Sequence, residues 1–295
     1  MKTLKILLSV LIICIIFNSM CVQNSEDRKQ ADMTISTDGV PIHFESYGNG
    51  ELALVFVHGW SCNRTHWDAQ IPKFSKLYRM ITIDLAGHGE SGLTRKIWTI
   101  ESLGLDVVTV IKELGLKHVI LIGHSMGGSV IVEAYQSIPD RVIGLIGVDA
   151  LAGIGIIYSD EQIERHLSRF QPDFKSHMMN MVRGMFLEDS DSTLVKTVSS
   201  GMLEAPPEIA VELLQNYFHW YTNHCRNLVQ KVKVPIREIH QKRNINLELI
   251  RKYVSEFKAI EMPGVGHFLM MEKPDQFNQL LLESIQEITQ LANSS

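Results

Sequence analysis

The chain has 295 residues, enough for one large domain or two small ones and for a full buried core. Hydrophobic residues make up 45% and charged residues 21%, which excludes a mainly disordered, collagen-like or disulfide-dense chain. The formal net charge of −5 gives no electrostatic reason to expect a nucleic-acid partner. Lys2 and Lys5 precede an apolar run from Ile6 to Phe17, and no acidic residue occurs before Glu26. That is the pattern of a secretory signal peptide over residues 1–20, and the run is short for a transmembrane helix of ~20 residues. Losing it would change the charge from −5 to −7, because two lysines leave with it.

The stretch Asn18-Ser19-Met20-Cys21 resembles a bacterial lipoprotein signal, with Cys21 as the candidate lipidated residue and residues 21–33 as a polar tether. It departs from that pattern at Asn18 and Met20, where the usual residues are Leu and a small residue. A lipoprotein in the cell envelope, ordinary secretion and an uncleaved N-terminal anchor therefore stay open. Cys62 and Cys225 read as two separate small apolar residues rather than a disulfide pair.

Two extended segments across Met33–Tyr47 are joined by the turn dipeptide Asp38-Gly39. Runs rich in β-branched and apolar residues follow at Leu52–Val57, Arg79–Leu85, Val119–Gly123 and Val142–Val148, with weaker ones at Ile236–Gln241 and Ala259–Met262. Helical periodicity falls between them, at Trp67–Leu77, Leu103–Leu114, Gly127–Ser137, Leu247–Phe257 and Pro274–Leu291. Continuous apolar strands alternating with amphipathic helices predict an α/β fold, a mostly parallel sheet with helices on both faces. Residues 152–233 break the alternation. They read as helices only: Asp160–Phe170, Phe174–Phe186, Ser192–Leu203 and Pro207–Val229. This Met- and aromatic-rich insert is expected to cap one end of a core formed by 34–151 and 234–295, with a minority of its apolar side chains lining a pocket.

Val119–Ile122 runs into Gly123-His124-Ser125-Met126-Gly127, and a helical stretch follows. G-x-S-x-G between a strand and a helix is the context of a nucleophile elbow. The turn is so sharp that the positions two before and two after the nucleophile must be small. The following helix N-terminus favours developing negative charge. Ser125 is thus the candidate nucleophile, and the Met126 amide is one candidate oxyanion donor.

With His58-Gly59-Trp60, the run from Asp84 to Ser91, the elbow at Ser125 and Pro263-Gly264-Val265-Gly266-His267, the chain resembles the α/β-hydrolase fold family over roughly residues 34 to 292. The resemblance implies an eight-stranded sheet, a helical cap after the sixth strand and a Ser-acid-His triad. It places the general base at His267 and the second oxyanion donor at the Trp60 amide. It makes His58 and Asp84 structural.

The acid departs from the usual pattern. After the seventh strand the family commonly carries it near Arg243 or Asn244, yet no Asp or Glu lies between Gln241 and Leu247. Some members carry it after the sixth strand, which here ends in Asp149, giving the family order Ser125…Asp149…His267. Asp149 is the assigned acid. A turn role for Asp149, an acid at Glu248 and a neutral orienter at Asn244 are the alternatives.

Neither metal-ligand spacing nor a dinucleotide fingerprint occurs, so no metal or cofactor is expected. The expected activity is a cofactor-independent serine hydrolase, with an apolar small-molecule carboxylic ester as default substrate. Lactone, thioester and C–C hydrolysis would use the same residues. A serine at 125 argues against the dehalogenase and epoxide hydrolase relatives, whose nucleophile is Asp. The rival from another class is a ligand sensor that keeps the triad and turns over slowly.

Overall fold

A computed structural model describes residues 30–294. Eight strands form one sheet: β1 (Gln30–Ile35), β2 (Pro41–Tyr47), β3 (Leu52–Val57), β4 (Arg79–Ile83), β5 (His118–His124), β6 (Val142–Val148), β7 (Ile236–Gln241) and β8 (Phe257–Met262). Their order is β1-β2-β4-β3-β5-β6-β7-β8. The β1–β2 and β2–β4 pairs are antiparallel, and every pair from β4 to β8 is parallel. The helices are α1 (Ile100–Glu113), α2 (Met126–Ser137), α3 (Asp160–Leu167), α4 (Phe174–Arg183), α5 (Ser192–Met202), α6 (Pro207–Asn223), α7 (Cys225–Val229), α8 (Leu247–Arg251) and α9 (Pro274–Asn293), besides short single turns.

The central strands are apolar along their whole length because helices cover both faces. Leu54 to Val57 and Val119 to Ile122 are completely buried. Removing each such side chain from water contributes about 1.5–3 kcal/mol before the cost of ordering the chain. Helix α1 starts earlier than its apolar period suggests. Thr99 accepts the Ser102 N–H (3.1 Å), while the Ser102 hydroxyl accepts the Thr99 N–H (3.2 Å), a reciprocal cap.

Several boundaries differ from the sequence expectation. The polar stretch 21–33 does not stay a tether throughout, since Gln30 already pairs with Ser46 in β1. The signal peptide and Cys21 lie outside the described residues. Trp67–Leu77 is not one helix but a 3-10 turn, Arg64–Gln70, followed by Ile71–Phe74; Asn63 caps the turn and Pro72 enters the first helical turn. Helix α8 stops at Arg251, because Phe257 begins β8 beside Ile236. Pro207–Val229 divides at His224 into α6 and α7. Cys62 and Cys225 are unbonded and buried.

Between β6 and β7 the described chain forms helices and turns only. These helices are fastened to the core unevenly. Helix α6 and its neighbourhood carry many polar ties. The Trp60 indole donates to Ala210 O (2.8 Å), Asn216 Nδ2 to Trp98 O (2.6 Å), and Trp220 Nε1 to Glu133 Oε1 (2.5 Å). The Tyr221 hydroxyl donates to Ala150 O (2.7 Å). The stretch from α4 to α5 is held by the His267 N–H donating to Met185 O (2.7 Å) and by the Ser190 hydroxyl donating to Glu272 (3.0 Å).

Candidate functional site

A parallel sheet brings the carboxyl ends of its strands to one edge, and ligand sites of open α/β sheets form there. Five segments meet at that edge: Gly59–Ser61 beyond β3, Ser125 after β5, Asp149 after β6, Gln241–Arg243 at the end of β7, and His267 beyond β8. Among the described residues, three non-glycine positions have positive φ, and all three lie here: Ser61 (54°), Ser125 (52°) and Asp149 (50°). Such conformations cost about 1–3 kcal/mol each and persist only where the surroundings enforce them.

The corner at Ser125 is enforced by close packing. A Cβ at Gly123 would lie 2.3 Å from Gly127 O, and one at Gly127 would lie 2.6 Å from both Val57 O and His58 O. The Ser125 N–H donates to Val148 O (3.0 Å), tying the corner to β6. Met126 opens α2, so its amide belongs to a first turn that has no intrahelical acceptor.

Ser125 and His267 line one small cavity with Gly59, Trp60, Cys62, His124, Met185, Met202 and Phe268. Its volume is about 20 Å³. That admits a water and no acyl group. Of the cap methionines singled out from sequence, Met185 and Met202 reach this cavity. Met178 is buried elsewhere and Met179 is exposed.

His267 Nδ1 donates to Asp149 Oδ2 (2.5 Å). The Asp149 side chain has no exposure, and its backbone N–H donates to Ile239 O (2.8 Å) on β7. Burial alone would raise its carboxyl. The hydrogen bond and charge of His267, the charge of Arg243 and the Gln241 side chain outweigh burial and bring it down to about 2. Asp149 is therefore an anion over the whole neutral range. The alternatives sit elsewhere: Glu248 is 91% exposed and faces Lys252 near the end of its own helix, and Asn244 is exposed.

His58 and Asp84 are used up by loop structure. The His58 Nδ1 donates to Gly59 O (2.8 Å) and its Nε2 accepts the Leu85 N–H (3.0 Å); burial holds it neutral. Asp84 pairs with Arg64 and accepts the Arg64 and Glu90 amides at 2.7 and 3.0 Å.

Several residues at the site were not anticipated. His88 accepts the Ser61 N–H (3.1 Å), fixing the strained residue next to Trp60. Gln241 and Arg243 both grip Asp149. Glu238 is fully buried and accepts the Ala150 N–H (2.8 Å) and the Leu151 N–H (3.0 Å), just beyond Asp149. Burial, opposed by those two amides and reinforced by the Asp149 charge, pushes its carboxyl up to about 8. Its signal was legible: a carboxylate inside an otherwise buried strand must have partners.

Comparison with known proteins fits this architecture. Residues 54–280 match the model of the alpha/beta hydrolase family. The chain belongs to the alpha/beta hydrolase family. Among curated relatives of this hydrolase-fold chain, the mouse (Mus musculus) bifunctional epoxide hydrolase 2 is 22% identical, over 92% of this chain and 58% of that protein. The chain spans somewhat over half the length of the mouse, pig and rat forms. A karrikin insensitive 2 receptor of Petunia hybrida is 23% identical over 81% of this chain and 93% of its own. Among solved structures, a thermophilic esterase from Thermogutta terrifontis superposes with a TM-score of 0.75 at 24% identity, covering 88% of this chain and 99% of that one.

Proposed function

We propose that this alpha/beta hydrolase is a cofactor-independent serine hydrolase that cleaves small carboxylic esters through an acyl-enzyme. The carrying observation is the buried, anionic Asp149 on His267 Nδ1, with His267 and the strained Ser125 lining one cavity. In this reading His267 takes the Ser125 proton as the hydroxyl attacks the ester carbonyl. The Trp60 and Met126 amides hold the tetrahedral oxyanion, each contributing about 3 kcal/mol. His267 then returns the proton to the leaving alcohol, and water, activated by the same imidazole, releases the acid. Asp149 keeps the imidazole proton on Nδ1, leaving Nε2 free to accept. Epoxide opening by covalent catalysis would take a carboxylate at the elbow, where this chain has a hydroxyl.

Export through the signal peptide of residues 1–20, with membrane attachment through lipidated Cys21, is part of the same proposal and rests on the sequence alone. The test of the function is labelling with a fluorophosphonate probe together with a panel of nitrophenyl esters. Fast labelling that disappears in Ser125→Ala, with turnover near ~10 s⁻¹, supports the hydrolase. A second reading, a sensor that hydrolyses its ligand slowly, is favoured by the small 20 Å³ cavity and by the receptor among the relatives. Labelling with turnover several decades slower would support it. An unlabelled wild-type protein would sink both.

A further inference from the structure

The position after β7 holds a cation where the family resemblance leads one to look for an acid. Asp149 Oδ2 accepts from His267 Nδ1 (2.5 Å), from Gln241 Nε2 (2.9 Å) and from the Arg243 guanidinium. Its Oδ1 accepts the Gln241 N–H (3.3 Å). The Arg243 side chain is 36% exposed, so the ion pair reaches from solvent to a fully buried carboxylate.

Most of the other titratable groups around this pair carry no charge near pH 7. His124 lies against His267, ring centroids 4.7 Å apart, and donates to the His267 carbonyl (3.0 Å); burial keeps it uncharged. Glu238, on the β7 side, titrates only near 8. Tyr217 and Tyr221 from α6 are phenols raised by burial. Glu272, on the far side of the His267 loop, accepts the Gly266 N–H (2.9 Å). Among the described residues, Arg243 is therefore the one full positive charge in direct contact with Asp149, apart from His267 itself when protonated.

We propose that Arg243 is a positioning residue that shares the charge of Asp149 and so sets the pH at which His267 becomes a competent base. The proposal rests on the Ser125–His267–Asp149 reading given above. A lone buried carboxylate strongly favours an imidazolium beside it. A carboxylate already bridged to a guanidinium favours it less, because the pair is close to neutral. The base is then free at lower pH. Removing the positive charge should leave the imidazole protonated to higher pH and move the acidic limb of kcat/KM upward. Interaction across a partly exposed ion pair corresponds to a shift of about 0.5–1 pH unit.

The experiment uses the full-length protein with nitrophenyl acetate and records kcat/KM and the fluorophosphonate labelling rate over a pH series from acid to mildly alkaline. Arg243→Met should raise the acidic limb by about 0.5–1 unit in both assays, whatever the change in the plateau. Arg243→Lys should restore most of the limb. Arg243→Gln keeps a donor without the charge and should shift like Arg243→Met, which covers a failure of the Met variant to fold. An unshifted limb in the charge-free variants, with only the plateau lowered, would show that Arg243 merely braces the loop and would overturn the proposal. Labelling that survives in Ser125→Ala would instead overturn the triad reading beneath it.

Discussion

Replacing Asp149 by asparagine separates charge from geometry at this site. Three donors converge on Oδ2: His267 Nδ1, Gln241 Nε2 and Arg243. In Asp149→Asn the side-chain amide oxygen is thus expected to take the Oδ2 position, so the imidazole keeps its proton on Nδ1. What is lost is the negative charge facing the imidazolium in the transition state. At a charge separation of ~4.5 Å and an effective dielectric of ~20, that loss is about 3.5–4 kcal/mol. The expected fall in kcat/KM is therefore about 10³-fold, since each tenfold is ~1.4 kcal/mol. KM should change little, because Asp149 is buried behind the imidazole. Stopped-flow or steady-state hydrolysis of nitrophenyl acetate measures this, with circular dichroism confirming the fold. Glu248→Gln is the control and should be silent. Activity of Asp149→Asn within about fivefold of the wild type would refute the assignment of the acid and the electrostatic argument together.

Three further outcomes follow from the same neighbourhood. A Cβ at Gly147 would sit 1.9 Å from Glu238 Oε2 and 3.0 Å from Leu151 Cγ, so Gly147→Ala should lose more than ~3 kcal/mol in urea unfolding; a change under ~1 kcal/mol would mean Glu238 is not held there. Glu238 titrates near 8 in the folded chain against 4.5 for an ordinary glutamate, so the native state binds the extra proton between those values and stability falls as pH rises from about 4.5 to about 8, by up to ~5 kcal/mol. Glu238→Gln should abolish this slope while costing ~1–3 kcal/mol at about pH 5, where its NH₂ turns on a backbone N–H; parallel pH–stability curves would contradict the burial argument. Met202→Ala removes the flexible end of a side chain from the wall of a 20 Å³ cavity and should raise the butyrate-to-acetate preference severalfold; an unchanged ratio would place the acyl pocket elsewhere.

The alternation of apolar strands and amphipathic helices was legible because both sheet faces are covered, which leaves each strand a continuous hydrophobic signature. The corner at Ser125 was legible because backbone crowding demands glycine at 123 and 127. Other features were hidden for physical reasons. Helix α8 is cut short by strand pairing, a long-range effect that periodicity does not carry. Gln241 and Arg243 were visible as a gap in the acid pattern, yet their grip on Asp149 depends on β6 and β7 lying side by side. The 3-10 turn at Arg64–Gln70 reflects a local competition, the Asn63 cap against helical continuation, that apolar spacing cannot report.

The uneven fastening of the cap has a mechanical consequence. Helix α6 is pinned to the body by indole, amide and phenol donors, whereas the stretch from α4 to α5, held mainly by apolar packing such as Phe186 on Phe268, is expected to be the more compliant half. Amide hydrogens there should exchange first, and a protease should nick there first. The same compliant half supplies the Met185 carbonyl that holds the His267 backbone. In the proposed hydrolase, lifting that half to admit a substrate would remove this one tie on the His267 loop and leave those to His124, Glu272 and Asp149. Under the proposed function, substrate entry and the placement of the base would be coupled through this one backbone hydrogen bond.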